Sequence, residues 1–185
     1  MPDEIQTIRA LRPNVTEAEA ASSFRTGVSG RLFQARHGPL RSLAPAYVPF
    51  HVYEVRIRNH GVQQATLFAL DAFAGSLDLY EFQSPPEPSA LITVESRNAL
   101  PVVLETERAE ALLCTKVERL LFQTGFFRMR GLRIETARTS LLLYVPYWLG
   151  FFGRGDAAAL RVMDAVRRRR EGAKAEAVFR DWLTH

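Results

Sequence analysis

Hydrophobic positions recur along this chain with two periods, and the changes between them mark out its elements. Thr16-Glu17-Ala18-Glu19 has the form of a capping box, in which the Thr hydroxyl accepts from the Glu19 N–H and Glu19 reaches back. The pattern behind it predicts a helix over 16–33, with Phe24, Val28 and Leu32 spaced by four on one face. Gly27 and Gly30 weaken that helix by about 1 kcal/mol each relative to Ala where they are exposed. Ahead of it lies a polar lead with a short strand or helix over 5–11, stopped by Pro13. His37-Gly38-Pro39 and Ala44-Pro45 mark a loop.

The period then changes to two. Residues 47–58 read as a strand, with Tyr47, Pro49, His51, Tyr53, Val55 and Ile57 on one face. Val48, Phe50, Val52, Glu54, Arg56 and Arg58 take the other face. Asn59-His60-Gly61 turns into a strand over 65–73, and Gly75 turns again into 77–82, which makes an antiparallel three-stranded meander. Ser84-Pro85-Pro86-Glu87-Pro88 reads as a stiff linker, followed by a short strand over 91–95. A second helix is expected over 105–123, where Ala109, Leu112, Leu113, Val117, Leu120 and Leu121 form an apolar stripe and Gly125 supplies the stop. Strands over 127–134, 141–152 and 158–166 follow. The last helix, over 171–183, buries Ala175, Val178, Phe179 and Trp182.

Three stretches of the first half return in order in the second. Val28 with Leu32-Phe33-Gln34 matches Val117 with Leu121-Phe122-Gln123, at an offset of 89. Tyr47-Val48-Pro49-Phe50 matches Tyr144-Val145-Pro146-Tyr147 at 97, and Leu70-Asp71-Ala72 matches Met163-Asp164-Ala165 at 93. The expectation is an α+β fold: an internally duplicated unit of one helix plus antiparallel strands, pseudo-two-fold, with helices on one face of the sheet or sheets. The first copy is expected over 1–83, a linker and short strand over 84–104, and the second copy with a C-terminal helix over 105–185. All three can pack as one domain. A proline kept in a strand belongs at a strand start, an edge or a bulge, so its presence in both copies points to a shared architectural device. The Asp ending each following strand suits a turn, because its carboxylate can accept from N–H groups ahead of it.

A strand leading into Asp71-Ala72-Phe73-Ala74-Gly75 after a helix resembles the PepSY domain pattern, a helix followed by a hairpin with an Asp-Ala-x-x-Gly turn. The likeness covers about a third of the chain. The second copy departs from it, since Asp164-Ala165 is followed by Val166 and four arginines, with no glycine before Gly172. The resemblance implies a non-catalytic binding or inhibitory module.

Composition narrows the chemistry. Hydrophobic residues make up 47% of the 185 positions, enough to build a core. The lead carries no basic, apolar export signal, and the longest apolar run, 141–152, falls short of the roughly 20 residues that span a bilayer. The one cysteine, Cys114, excludes an internal disulfide and reads as a buried, inert thiol in a reducing compartment, so a cytoplasmic location is expected. The net charge of +4 is carried by 24 basic residues that are nearly all arginine, a skew that makes arginine the default surface cation. The histidines show no metal-ligand spacing, no phosphate-binding Gly-rich loop occurs, and no Gly-x-Ser-x-Gly is present. No cofactor and no metal are expected.

The candidates that remain are a hydrophobic groove between the copies, lined by Tyr47, Phe50, His51, Tyr53, Tyr144, Tyr147 and Trp148. His51 stands one residue past the first motif where Trp148 stands past the second. Arg167-Arg168-Arg169-Arg170 is the strongest charge run, a solvated turn or a phosphate contact. The leading reading is a non-enzymatic binding or interaction module, taking a protein partner or a small apolar ligand. The strand edges at the prolines also make a homodimer plausible. Nucleic-acid or phosphate binding through Arg167–Arg170 is the second reading, and an enzyme using His51 the third.

Overall fold

A computed structural model describes residues 4–59, 62–123, 132–153 and 158–184. The expected turn at His60-Gly61, the stop at Gly125, residues 127–131 of one expected strand and His185 lie outside the described residues. The chain is α+β. In order it forms β1 (Gln6–Leu11), α1 (Glu17–Arg25), α2 (Gly27–His37), β2 (Leu40–Asn59), β3 (Val62–Asp71), β4 (Tyr80–Phe82), a 3-10 turn (Pro88–Ala90), β5 (Leu91–Ser96), α3 (Thr106–Gln123), β6 (Arg133–Phe152), β7 (Ala159–Asp164), β8 (Arg169–Arg170) and α4 (Ala173–Thr184). The strands hydrogen-bond in the order β4-β3-β2-β6-β1-β5, with β7 on β6 and β8 on β7. The chain divides into two compact units: residues 1–48, 89–100 and 144–185 in one, residues 49–88 and 101–143 in the other.

The second of these units holds the meander. β3 pairs antiparallel with β2 in the register Phe50↔Asp71 through Asn59↔Val62, and β4 pairs antiparallel with β3. α3 lies over the odd-numbered face of β2: Ala109, Leu113 and Val117 pack with Tyr53, Val55, Ile57, Phe68 and Leu70. Phe50 points to the opposite side of the strand, where its ring meets Tyr80 edge-on at 5.5 Å. The alternation read along 47–58 therefore assigns both faces of this strand.

In the other unit β1 pairs antiparallel with β5. The capping box forms: Glu19 N–H donates to Thr16 Oγ1 at 3.3 Å, and Thr16 N–H donates to Glu19 Oε2 at 2.8 Å. The core here gathers Val15, Ala20, Phe24, Phe152, Met163 and Ala165, with Phe33, Leu43 and Trp148 against it. α4 packs on β7, and Phe179 meets the Tyr147 ring at 5.3 Å. Tyr147 and Trp148 are neighbours on one strand and point to opposite sides of it. α1 and α4 thus cover opposite faces of β6, and α4 adds a layer to the single helical face anticipated from the pattern.

Three elements differ from the reading of the pattern, the first being β6, which runs unbroken over Arg133–Phe152 where separate strands over 127–134 and 141–152 are expected. Ala44-Pro45 is not a loop: β2 runs through it from Leu40, because a strand can continue past a proline wherever no ladder donor is required. The first helix is not continuous. It stops at Thr26, whose hydroxyl and N–H both donate to the Ser22 carbonyl at 2.8 and 2.9 Å. Gly27 then takes φ +74°, a left-handed backbone that favours glycine, and α2 starts in a new direction. Gly30 turns inward at this joint, where a Cβ would stand 2.9 Å from the Phe24 carbonyl oxygen.

Candidate functional site

The two Tyr-Val-Pro segments make the same backbone contacts. Tyr47 forms a parallel bridge with Ala99, and Tyr144 pairs in parallel with Ala10. The carbonyl of Pro49 accepts from Ala72 N–H at 2.8 Å, and that of Pro146 accepts from Ala165 N–H at 3.0 Å. The next residues pair with the aspartates, Phe50↔Asp71 and Tyr147↔Asp164. Each proline therefore sits where its partner strand ends and turns away, so its missing N–H costs no ladder bond. Both aspartates are fully buried, and both close the turn that follows. Asp71 accepts from Ala74 and Gly75 through Oδ1 and from Leu77 through Oδ2, all at 2.7 Å. Asp164 Oδ1 accepts from Val166 at 2.9 Å and Arg167 at 2.8 Å. The Ala72 carbonyl takes Val103 and Leu104 N–H, and the Ala165 carbonyl takes Asn14 N–H.

The side chains of the segments diverge. Phe50 and Tyr53, in one unit, and Tyr147, in the other, are buried. Tyr47 and Tyr144 are partly buried, and burial pushes both phenols up. Trp148 donates its indole N–H to the Val15 carbonyl at 3.0 Å. Its sequence counterpart His51, 8% exposed, lies beneath the N-terminal end of α3. There Arg138 Nη2 approaches its Nε2 at 2.7 Å, while Arg138 Nη1 donates to Thr106 Oγ1 at 3.1 Å. A guanidinium has only donors, so the facing imidazole nitrogen must be an unprotonated acceptor. Burial, and then the charge of Arg138, push the imidazole down to about 4. A nitrogen already holding a guanidinium proton is a poor general base. Tyr53, on the same strand face, has a buried hydroxyl with no hydrogen-bond partner among the described residues. Its phenol is pushed up by burial, with Arg138 opposing and Glu110 reinforcing.

The arginine run is embedded in its surroundings. Arg168, at φ 56°, pairs with Glu19 at 3.1 Å, and Arg169 pairs with Glu171 at 3.0 Å. Arg170 donates to Ser29 Oγ at 2.8 Å. The Cys114 thiol is pushed up, chiefly by burial and then by Glu118. Among the described residues no group of three or more His, Cys, Asp or Glu could hold a metal ion, and no helix is long and apolar enough to cross a membrane.

One surface escaped the sequence reading. Ala20 and Phe24 of α1 are buried, as are Ala109 and Leu113 at the same 89-residue offset in α3. Beyond them the correspondence of burial breaks. Val117 is 1% exposed, whereas its match Val28 is 78% exposed and Leu32 is 66% exposed. The expected shared face of Phe24, Val28 and Leu32 is therefore incorrect: the break at Thr26-Gly27 rotates α2 and carries two of its three members outward. Phe33 goes inward instead, edge-on to Phe152 at 5.0 Å and beneath the Arg161 guanidinium. Its match Phe122 is half exposed, beside a shallow depression of about 370 Å³ lined by Thr115, Glu118, Arg119 and Gln123. A Thr-Gly step and a second glycine in mid-helix were the available signals.

No family model, no curated protein and no solved structure matches the chain.

Proposed function

We propose that the chain is a non-enzymatic interaction module, formed by internal duplication, whose first copy has had its helix broken to turn an aliphatic face outward. The observation that carries this reading is the reversal at matched positions: Val117 seals a core, while Val28, at 78% exposed, faces solvent. An aliphatic pair held outward on one helix face, with guanidinium groups beside it, is the kind of exposed apolar surface that contact sites use. The matched proline carbonyls, aspartate caps and reciprocal bridges support the duplication. Occupation of the His51 acceptor nitrogen by Arg138 favours binding over catalysis. The ion pairs of Arg168 and Arg169 make the arginine run a weaker phosphate site than its charge implies.

Equilibrium urea unfolding of Val28→Ser and Leu32→Ser tests this against Leu113→Ala. The surface changes are expected to stay within about 0.5 kcal/mol of the parent. The core change, at a fully buried leucine, should cost about 2–5 kcal/mol. A loss above about 2 kcal/mol at Val28 or Leu32 means that these residues pack inside the protein in solution, and the reading fails.

A further inference from the structure

The outward face of α2 has a definite make-up. Val28, Arg31, Leu32, Ala35 and Arg36 follow the spacing i, i+3, i+4, i+7, i+8, and all five are exposed. The other face is anchored: Gly30 abuts the Phe24 carbonyl, Gln34 Nε2 donates to the Arg25 carbonyl at 2.9 Å, and Phe33 packs on Phe152. The helix has no Asp or Glu from Gly27 to His37. Arg31 and Arg36 enter no ion pair among the described residues, and Arg170 adds a third guanidinium beside Ser29.

Resting on the interaction-module reading above, we infer that this face docks an acidic, amphipathic helix of a protein partner. Each feature selects against another occupant. A second copy presenting the same face would set arginines against arginines. A phosphate backbone would satisfy the arginines and leave Val28 and Leu32 without apolar partners. A membrane surface offers both chemistries, but two aliphatic side chains bury less than a single acyl chain, which by itself binds only marginally. A partner helix of about three turns matches the 11 residues of α2 in length. It would set its own i, i+4 aliphatics around Val28 and Leu32, with flanking carboxylates on Arg31 and Arg36.

The test uses the full chain and a fluorescein-labelled, helix-stapled synthetic peptide with leucines at i, i+4 and i+7 and glutamates flanking them. Anisotropy titration is expected to give a Kd of about 10–100 µM at low salt, weakening as salt rises. The doubly substituted Val28→Asp, Leu32→Asp chain, and separately Arg31→Glu, should each weaken binding about tenfold or more while keeping the parent's urea midpoint. Equal binding of a twin peptide with lysine for glutamate overturns the proposal. So does binding of phosphatidylglycerol–phosphatidylcholine vesicles or of a short DNA duplex in place of the peptide, or indifference of the acidic peptide to these substitutions. A lowered midpoint in the doubly substituted chain would instead sink the interaction-module reading itself, because it would show the face to be buried. An unchanged midpoint with no peptide bound sinks only the acidic-helix assignment.

Discussion

Removing the carboxylate of Asp71 gives the sharpest stability prediction. Its two oxygens hold the N–H groups of Ala74, Gly75 and Leu77, and the donors on Gly75 and Leu77 are buried. In Asp71→Ala these donors lose a charged acceptor, and the two on Gly75 and Leu77 are buried away from bulk solvent. A hydrogen bond to a charged group contributes about 1.5–3 kcal/mol, and each donor left buried and unsatisfied costs about 1–3 kcal/mol. Allowing for partial collapse of the turn, the expected loss is about 4–6 kcal/mol, a large share of the stability of an ordinary domain. Asp71→Asn keeps one oxygen for Ala74 and Gly75 but sets an amide donor against the Leu77 N–H, and should cost about 2–3 kcal/mol. Asp164→Ala acts on donors that are only part-buried, so its cost should be smaller, about 2–4 kcal/mol. Urea unfolding at neutral pH, with the m-value checked for constancy, measures all three. A cost below about 1 kcal/mol for Asp71→Ala would show that the turn holds its shape without the carboxylate, and the account of both aspartates as structural caps would be wrong.

Two further predictions concern the same unit. The folded chain holds the His51 imidazole down to about 4, below its ordinary 6.5, so the unfolded chain binds the extra proton between these values. Stability is therefore full above about pH 6.5 and declines as pH falls towards 4, by about 3 kcal/mol for the whole displacement and roughly 2 after solvent screening at the exposed Arg138. His51→Phe should flatten that part of the urea-midpoint profile, and an unchanged slope would contradict the assignment. Gly75→Ala, at φ +68° with Leu112 Cδ1 2.6 Å from the added Cβ, should lower stability by about 1–2 kcal/mol, which thermal unfolding can read.

Local signals carried much of this architecture. The capping box at Thr16, the two faces of 47–58 and, apart from the exposed Leu120, the stripe of α3 could be read because each depends on residues within a few positions. The aspartate caps were legible for the same reason. The pairing of β1 with β5, and the bridges from Tyr47 to Ala99 and Tyr144 to Ala10, join residues far apart in the chain, and no periodicity encodes them. Strand length was underestimated at β2 because Pro45 looks like a stop when its missing donor is not needed. The α2 face was misassigned because Val28 and Val117 share a sequence context. One left-handed glycine, Gly27, reverses their fate, and a helical pattern read by spacing alone has no term for a change of axis.

Val28 and Leu32 face solvent, while Val117, the match of Val28, seals a core with Leu113. Methyl-selective NMR with a soluble gadolinium chelate measures this directly, through the relaxation that the chelate adds to each methyl group. The Val28 and Leu32 methyls should relax much faster than those of Val117 and Leu113. Equal protection at all four would place the α2 aliphatics in a core and contradict the account.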